Sequence, residues 1–179
     1  KIATNLNPNF SPAFYQLGNA FNQLKKHSRA IEPLKQVIRM NDLHANAHLE
    51  LGLASAQVKQ HDQAIIHLQK ALDLNPRLSK AYFPLGLSLI TMGRFEDAST
   101  ALGKTTPENS DYPNVQNQLG IGLWKLKKYA KAATFFKKAI QSNPSFIEPY
   151  INLGSLFTMT SNHPKAIRYL KEGIEREPD

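Results

Sequence analysis

Residues 48–76 read HLELGLASAQVKQHDQAIIHLQKALDLNP, and this stretch decides the fold. Its second half spaces apolar residues as one face of an amphipathic helix does, at i, i+1, i+4, i+7 and i+8. These residues are Ala64, Ile65, Leu68, Ala71 and Leu72. Pro76 stops that helix, and the polar turn 59–62 separates it from an earlier apolar segment around Leu51-Gly52. The stretch therefore predicts two antiparallel helices joined by a short turn.

The same pattern returns every 34 residues along the chain. A Leu-Gly dipeptide marks each copy, at Leu17-Gly18, Leu51-Gly52, Leu85-Gly86, Leu119-Gly120 and Leu153-Gly154. An alanine follows each glycine at a constant distance, at Ala30, Ala64, Ala98, Ala132 and Ala166. Counting from seven residues before each glycine defines repeats at 11–44, 45–78, 79–112, 113–146 and 147–179. We number positions within a repeat from its first residue and name its two helices A and B.

The two ends and the middle of the chain depart from this regular pattern. Residues 1–10 resemble the end of a repeat and are predicted to be the tail of a preceding one. Pro107 interrupts helix B of the third repeat, so an irregular segment is expected near 105–113. Solenoids usually require a capping helix after the last repeat. No such helix is evident in the sequence after the fifth repeat. We therefore expect a segment of a longer array, with possible end-to-end self-association.

In these features the chain resembles the tetratricopeptide repeat family. The resemblance spans nearly the whole chain and is most complete in 45–78 and 113–146. It implies an all-α, right-handed superhelical solenoid of antiparallel helix pairs that forms one domain. Relatives of this kind mostly bind other proteins, and positions 5, 9 and 12 of helix A line their concave groove.

Composition excludes several other classes of protein. The chain has 179 residues, 41% of them hydrophobic, which is enough to bury a core. It has no cysteine, so disulfides, thiolate catalysis and Cys-ligated metals are excluded. No apolar run is long enough to cross a membrane, and no signal-peptide core is present, so we expect no membrane insertion. The sequence leaves the compartment undetermined, with the cytoplasm favoured for a soluble chain.

The groove positions predict a binding surface for a protein partner. Ten of these fifteen positions are apolar or aromatic, concentrated in repeats 2 to 4 with polar flanks. Contiguous apolar surface of this kind usually serves partner contact, although burial between neighbouring A helices is an equal alternative. The predicted partner-binding residues are Tyr15, Leu49, Leu53, Phe83, Leu87, Ile90, Ile121, Trp124 and Ile151. The first hypothesis is therefore a non-catalytic scaffold that binds a peptide segment of a partner protein in its concave groove.

Two further functions stay open, and one is disfavoured. The first alternative is that the chain is the substrate-recruiting arm of a larger enzyme of the glycosyltransferase or sulfotransferase type. The net charge of +8 is concentrated in a basic segment at 125–138, which suits nucleic acid or an acidic partner, although a solvated outer face is favoured. The carboxylate clamp that holds chaperone tails in some relatives matches only at Asn19 and Lys80, and Glu50 would repel a carboxylate.

The sequence indicates no catalytic, cofactor or metal site. His27, His61 and His163 share position 17, where the other repeats have Phe95 and Tyr129, so we expect them to pack in the turns. His44 and His48 are four residues apart but straddle a predicted helix start, with few carboxylates nearby. The glycines stand singly in helices and form no phosphate-binding loop. No nucleophile and base are paired by spacing, so we expect no enzymatic activity.

Overall fold

A computed structural model describes residues 10–105 and 112–176 of the chain. Within these ranges the regular structure consists of ten α-helices and one short 3₁₀ helix, without strands. The chain divides into two compact units, one ending at Gly93 and the other beginning at Arg94. The predicted repeat tail at 1–10 lies outside the described residues except for Phe10, and so does most of the irregular segment at 105–113.

Unit 1 contains the first five α-helices. They are α1 (Ser11–Gln23), α2 (His27–Met40), α3 (Ala45–Gln57), α4 (His61–Leu74) and α5 (Tyr82–Thr91), with the 3₁₀ helix at Ser79–Ala81. Helix α1 packs on α2 and α3 packs on α4, so consecutive helices form pairs. Across the pairs, α2 packs on α3 and α4 on α5. The A-type helices α1, α3 and α5 also contact one another in sequence, which places their exposed faces side by side.

Unit 2 contains the other five α-helices. They are α6 (Phe95–Leu102), α7 (Tyr112–Lys125), α8 (Tyr129–Ser142), α9 (Glu148–Met159) and α10 (His163–Ile174). Helices α7 with α8 and α9 with α10 form pairs, while α6 packs on α7 and α8 packs on α9. The predicted all-α class and the helix-pair architecture are confirmed. The repeat boundaries themselves stay a prediction.

The glycine of each described pair makes room for one large side chain of the partner helix. A methyl group built on Gly18, Gly52, Gly120 or Gly154 would lie 2.5 or 2.6 Å from a side-chain carbon of the residue at position 24. That residue is Leu34, Leu68, Phe136 or Leu170, respectively. Such a separation is far below van der Waals contact, so a larger residue would force the helices apart. The Leu-Gly dipeptide thus sets how closely helices A and B approach.

The segment that follows helix A has a positive-φ residue at the same position in each of the five repeats. The residue at position 15 has a positive φ in each case, at Lys25 (56°), Lys59 (63°), Gly93 (75°), Lys127 (58°) and Ser161 (57°). In the second turn, the N–H of Gln60 donates to the Ser55 carbonyl at 2.9 Å, and that of Lys59 donates to Ala56 at 3.0 Å. These two bonds form a Schellman motif, which ends helix A and reverses the chain.

Candidate interaction surfaces

The A-helix face of unit 1 brings together most of its sequence-predicted binding residues. Helix α3 lies between α1 and α5, so positions 5, 9 and 12 of these three helices form one continuous surface. Tyr15 on α1, Leu53 on α3 and the α5 residues Phe83, Leu87 and Ile90 are all partly exposed there. We call this set the unit 1 apolar surface. Its aromatic and aliphatic side chains are available for apolar contact with a partner.

Leu49 departs from this pattern because its side chain is buried, with only 6% of its surface exposed. It stands at position 5 of α3, the one helix of unit 1 that has an A-type neighbour on each side. Those neighbours cover the side chain, so Leu49 supports the surface from below and offers a partner little contact. The sequence identified the helical face but not the coverage that the two neighbouring helices impose.

A polar edge borders the unit 1 apolar surface. The side-chain amide of Asn22 on α1 donates to the backbone carbonyl of Glu50 at 3.0 Å and to its Oε2 at 2.8 Å. Burial, and secondarily the nearby carboxylate of Glu50, raises the pKa of Tyr15 above its usual value. In the part of the chain described by the structure, Glu50 has no ion-pair partner. The surface therefore combines apolar residues with one negative charge.

The A-helix face of unit 2 is carried by α7 and α9, which contact each other. Ile121 and Trp124 on α7 are partly exposed, and Ile151 on α9 is 50% exposed. The Trp124 ring packs edge-on against Phe136 of α8, with ring centroids 6.3 Å apart. On the same face, the Asn152 amide donates to Oδ1 of Asn117 at 2.9 Å and ties the two helices together. Packing against Phe136 thus orients the Trp124 side chain, and part of that side chain remains exposed to solvent.

The lysines of the predicted basic segment are exposed to solvent. Its lysines are Lys125, Lys127, Lys128, Lys131, Lys137 and Lys138. None of the six forms an ion pair with another residue in 10–105 or 112–176. Lys138 lies over the ring of Phe135, 4.9 Å from its centroid, as a cation–π contact. The segment therefore presents positive charge to solvent.

A histidine pair that the sequence analysis missed joins α3 to α4. Nδ1 of His48 lies 3.1 Å from Nδ1 of His67, and Nε2 of His48 lies 3.0 Å from the Asp42 carbonyl. Burial, followed by repulsion from His48 and Lys35, lowers the pKa of His67 to about 4, against a smaller opposing effect of Asp42. The repeat positions of the two histidines could have indicated this contact, because positions 4 and 23 face each other across the α3–α4 pair.

Two other histidines contact polar groups of the protein and do not contribute to a metal site. The ring of His44 caps α3 by accepting from the N–H of Ala47 at 3.1 Å. His27 lies beside the first turn of unit 1, with Nδ1 3.3 Å from Oδ1 of Asn22. Among the described residues, no three histidines or carboxylates are grouped closely enough to hold a metal ion. Likewise, none of the described helices has the length and apolar character needed to span a membrane.

Serial antiparallel helix pairs, with glycine facing a large residue in each described pair, define a solenoid of the tetratricopeptide-repeat class. Within that class, the chain belongs to the family described as the tetratricopeptide repeat protein 21 C-terminal ARM domain, whose model matches residues 1–171. The family relationship predicted from the Leu-Gly repeats is thereby confirmed. No curated protein matches the chain.

Several solved structures share the fold. YrrB, described as a tetratricopeptide-repeat protein with an unusual peptide-binding site, superposes with a TM-score of 0.86 at 19% identity, over 99% of this chain and 91% of that one. MamA superposes with a TM-score of 0.85 at 23% identity, over 93% of this chain and 91% of that one. PilF of Pseudomonas aeruginosa superposes with a TM-score of 0.73 at 21% identity, over 94% of this chain and 77% of that one. At these identities the likeness concerns the fold.

Proposed function

We propose that the chain is a non-catalytic protein-interaction module whose unit 1 apolar surface binds a peptide segment of a partner protein. The observation that carries the proposal is the exposure of Leu53, Phe83, Leu87 and Ile90 on adjacent helices. A surface of partly exposed aromatic and aliphatic residues is what a partner can desolvate on binding. The fold similarity to YrrB, a protein described as having a peptide-binding site, supports the same function.

The polar edge narrows the chemistry of the peptide. Glu50 is partly exposed next to the apolar residues, and its carboxylate is not neutralised by a cation among the described residues. A partner that covers this surface must compensate the charge, since a desolvated and unpaired carboxylate is costly. The expected ligand therefore places apolar side chains on α3 and α5 and a lysine or arginine beside Glu50.

A displayed library of random peptides, panned on the intact chain, tests this proposal. Selected peptides are expected to combine apolar residues with a basic one, and Leu87→Asp should lower their affinity at least about tenfold. Ile66→Asp is the matched control, because Ile66 is 56% exposed on α4, away from the A-helix face. Fluorescence anisotropy with a labelled selected peptide measures both variants.

The proposal fails if Leu87→Asp binds the selected peptides as tightly as the unchanged chain does. It also fails if Ile66→Asp weakens them equally, because the effect would then not belong to this surface. Circular dichroism of each variant checks that helix content is retained. Glu50→Gln separately tests the charge, since it should weaken peptides with a basic residue more than those without one.

The basic segment 125–138 supports a second candidate, an acidic partner or nucleic acid. The supporting observation is that its six lysines are exposed and have no ion-pair partner among the described residues. Binding of this kind weakens steeply with salt. Reversing the charges of Lys127, Lys128 and Lys131 should therefore abolish salt-dependent retention of RNA. If the reversed variant still retains RNA, the basic segment is not the RNA-binding site.

A further inference from the structure

The turn between α7 and α8 concentrates four lysines in a short stretch of chain. Lys125 ends α7, Lys127 and Lys128 form the turn, and Lys131 lies in the first turn of α8. They stand at positions 13, 15, 16 and 19 of their repeat, and all four are exposed. We call these four residues the lysine turn. The other two lysines of the basic segment lie near the far end of α8, so positive charge is densest at the turn.

The fold does not require lysine at these positions. In the second repeat, a turn with the same positive φ joins α3 to α4 and has glutamine at positions 13, 16 and 19, as Gln57, Gln60 and Gln63. The first repeat comes nearest in charge, with basic residues at three of the four positions, Lys25, Lys26 and Arg29. A helix pair therefore forms without this charge, and lysine at all four positions is specific to the turn between α7 and α8.

The charge of the lysine turn is not compensated by any residue that the structure describes. At the corresponding turn of the third repeat, Arg94 pairs with Asp97 at 2.6 Å. None of the four lysines has such a partner among the described residues, and 112–147 contains no aspartate or glutamate. Closely spaced like charges repel one another, so an anionic ligand among them would be stabilised by all four.

The backbone holds the lysine turn in one conformation. The N–H of Lys127 donates to the Trp124 carbonyl at 2.8 Å, and Lys127 has a positive φ of 58°. The N–H of Lys128 donates to the Leu123 carbonyl at 2.9 Å, and its own carbonyl accepts from Ala132 at 3.0 Å. The lysine side chains thus start from fixed backbone positions, so a ligand does not have to order the turn when it binds.

The chemistry of the site favours the carboxylates of a peptide over a nucleic acid. Residues 112–147 contain no arginine, and lysine is a point charge on a flexible stem that lacks the planar fork of arginine. Such a cluster responds to the density of negative charge rather than to a fixed phosphate geometry. Single-stranded nucleic acids also stack their bases on aromatic rings, whereas Lys138 covers the face of Phe135 on α8.

We propose that the lysine turn binds an acidic segment of a partner protein, in which aspartates and glutamates follow one another closely. The inference rests on the second candidate function and commits it to one class of partner and to four of the six lysines. The carboxylates of a short acidic run lie close enough together to meet several ammonium groups at once. Because the lysine stems are flexible, the run does not need a fixed secondary structure.

Fluorescence anisotropy of a labelled oligoglutamate with the intact chain tests the proposal. The peptide should bind, its affinity should fall as salt rises, and an oligouridylate with the same number of charges should bind less tightly. The triple variant Lys125→Gln, Lys128→Gln and Lys131→Gln should lower the affinity for oligoglutamate at least about tenfold. This variant gives the turn the residues of the second repeat, where the same turn forms with them, and circular dichroism checks its helix content.

The matched control removes the same charge from three exposed lysines of unit 1, by Lys35→Gln, Lys59→Gln and Lys80→Gln. It should retain most of the affinity for oligoglutamate, and so should Leu87→Asp, which separates this site from the unit 1 apolar surface. The proposal is overturned if oligoglutamate does not bind, or if the control variant loses as much affinity as the turn variant. It is also overturned if oligouridylate binds more tightly than oligoglutamate, a result that would leave the basic segment as a nucleic-acid site.

Discussion

Gly120 and Gly122 lie two residues apart in α7, yet a methyl group added at each would meet very different surroundings. At Gly120 the new carbon would lie 2.5 Å from Cε1 and 2.6 Å from Cδ1 of Phe136. At Gly122, apart from the adjacent residues and the backbone of α7 itself, it would have no atom within 4 Å. The pair therefore separates the packing role of the Leu-Gly dipeptide from the general cost of glycine in a helix.

The expected magnitudes follow from two opposing effects. Replacing glycine by alanine inside a helix stabilises it by about 1 kcal/mol, and Gly122→Ala should show most of this gain. Gly120→Ala gains the same amount but overpacks the Phe136 ring, which costs about 1–3 kcal/mol. The ring is 0% exposed, so it has no open space into which it can move. We expect Gly120→Ala to be less stable than Gly122→Ala by about 1–3 kcal/mol, or about 3–10 °C in Tm.

Urea and thermal unfolding followed by circular dichroism measure this difference. Equal stability of the two variants would refute the steric role that we assign to Gly120. Phe136→Val provides a further check, because it removes the ring atoms that the new methyl group would meet. In that background Gly120→Ala should lose most of its penalty, which a double-mutant cycle records as a coupling energy.

Two further predictions concern a turn and a histidine. Lys59→Gly should stabilise the chain by about 0.5–1 kcal/mol in urea unfolding, because lysine is strained at a φ of 63°, whereas Lys59→Ala retains the strain and should gain nothing. The pKa of His67 is about 4 in the folded chain, below its value in the unfolded chain. At pH values between these two pKa values, the unfolded chain therefore binds more protons at His67 than the folded chain does. Stability should thus be highest above about pH 6.5 and fall toward pH 4, by about 1 kcal/mol at pH 5 after discounting for solvent screening. His67→Gln should flatten this part of the pH profile, and an unchanged slope would exclude His67 as its source.

The helix pairs were predictable because each depends on local signals that the period repeats. The spacing of Leu51, Gly52 and Ala64 identifies two amphipathic helices and the turn between them. The partner of each glycine was not predictable from one helix alone, and the structure places Leu68 against Gly52. Which residues meet across a pair depends on the crossing of the two helices, and this is a property of packing rather than of periodicity.

The turns show how alignment within the chain supplies information that a single turn lacks. Lys25, Lys59 and Lys127 have none of the usual sequence signals of a positive φ. Gly93 stands at the same repeat position, and glycine is the residue that this conformation favours. One informative repeat therefore identifies the conformation of the other turns, provided that the repeats superpose.

Burial of the candidate surfaces followed from the number of neighbouring helices rather than from residue type. Leu49 and Leu53 are both leucines on the same face of α3, but only Leu53 retains partial exposure. A repeat sequence thus specifies which faces are apolar, and the order of stacking decides which of them stay free to bind. A single charge placed on an exposed apolar face should therefore alter association, whereas the same charge on a face that neighbouring helices cover should alter the fold.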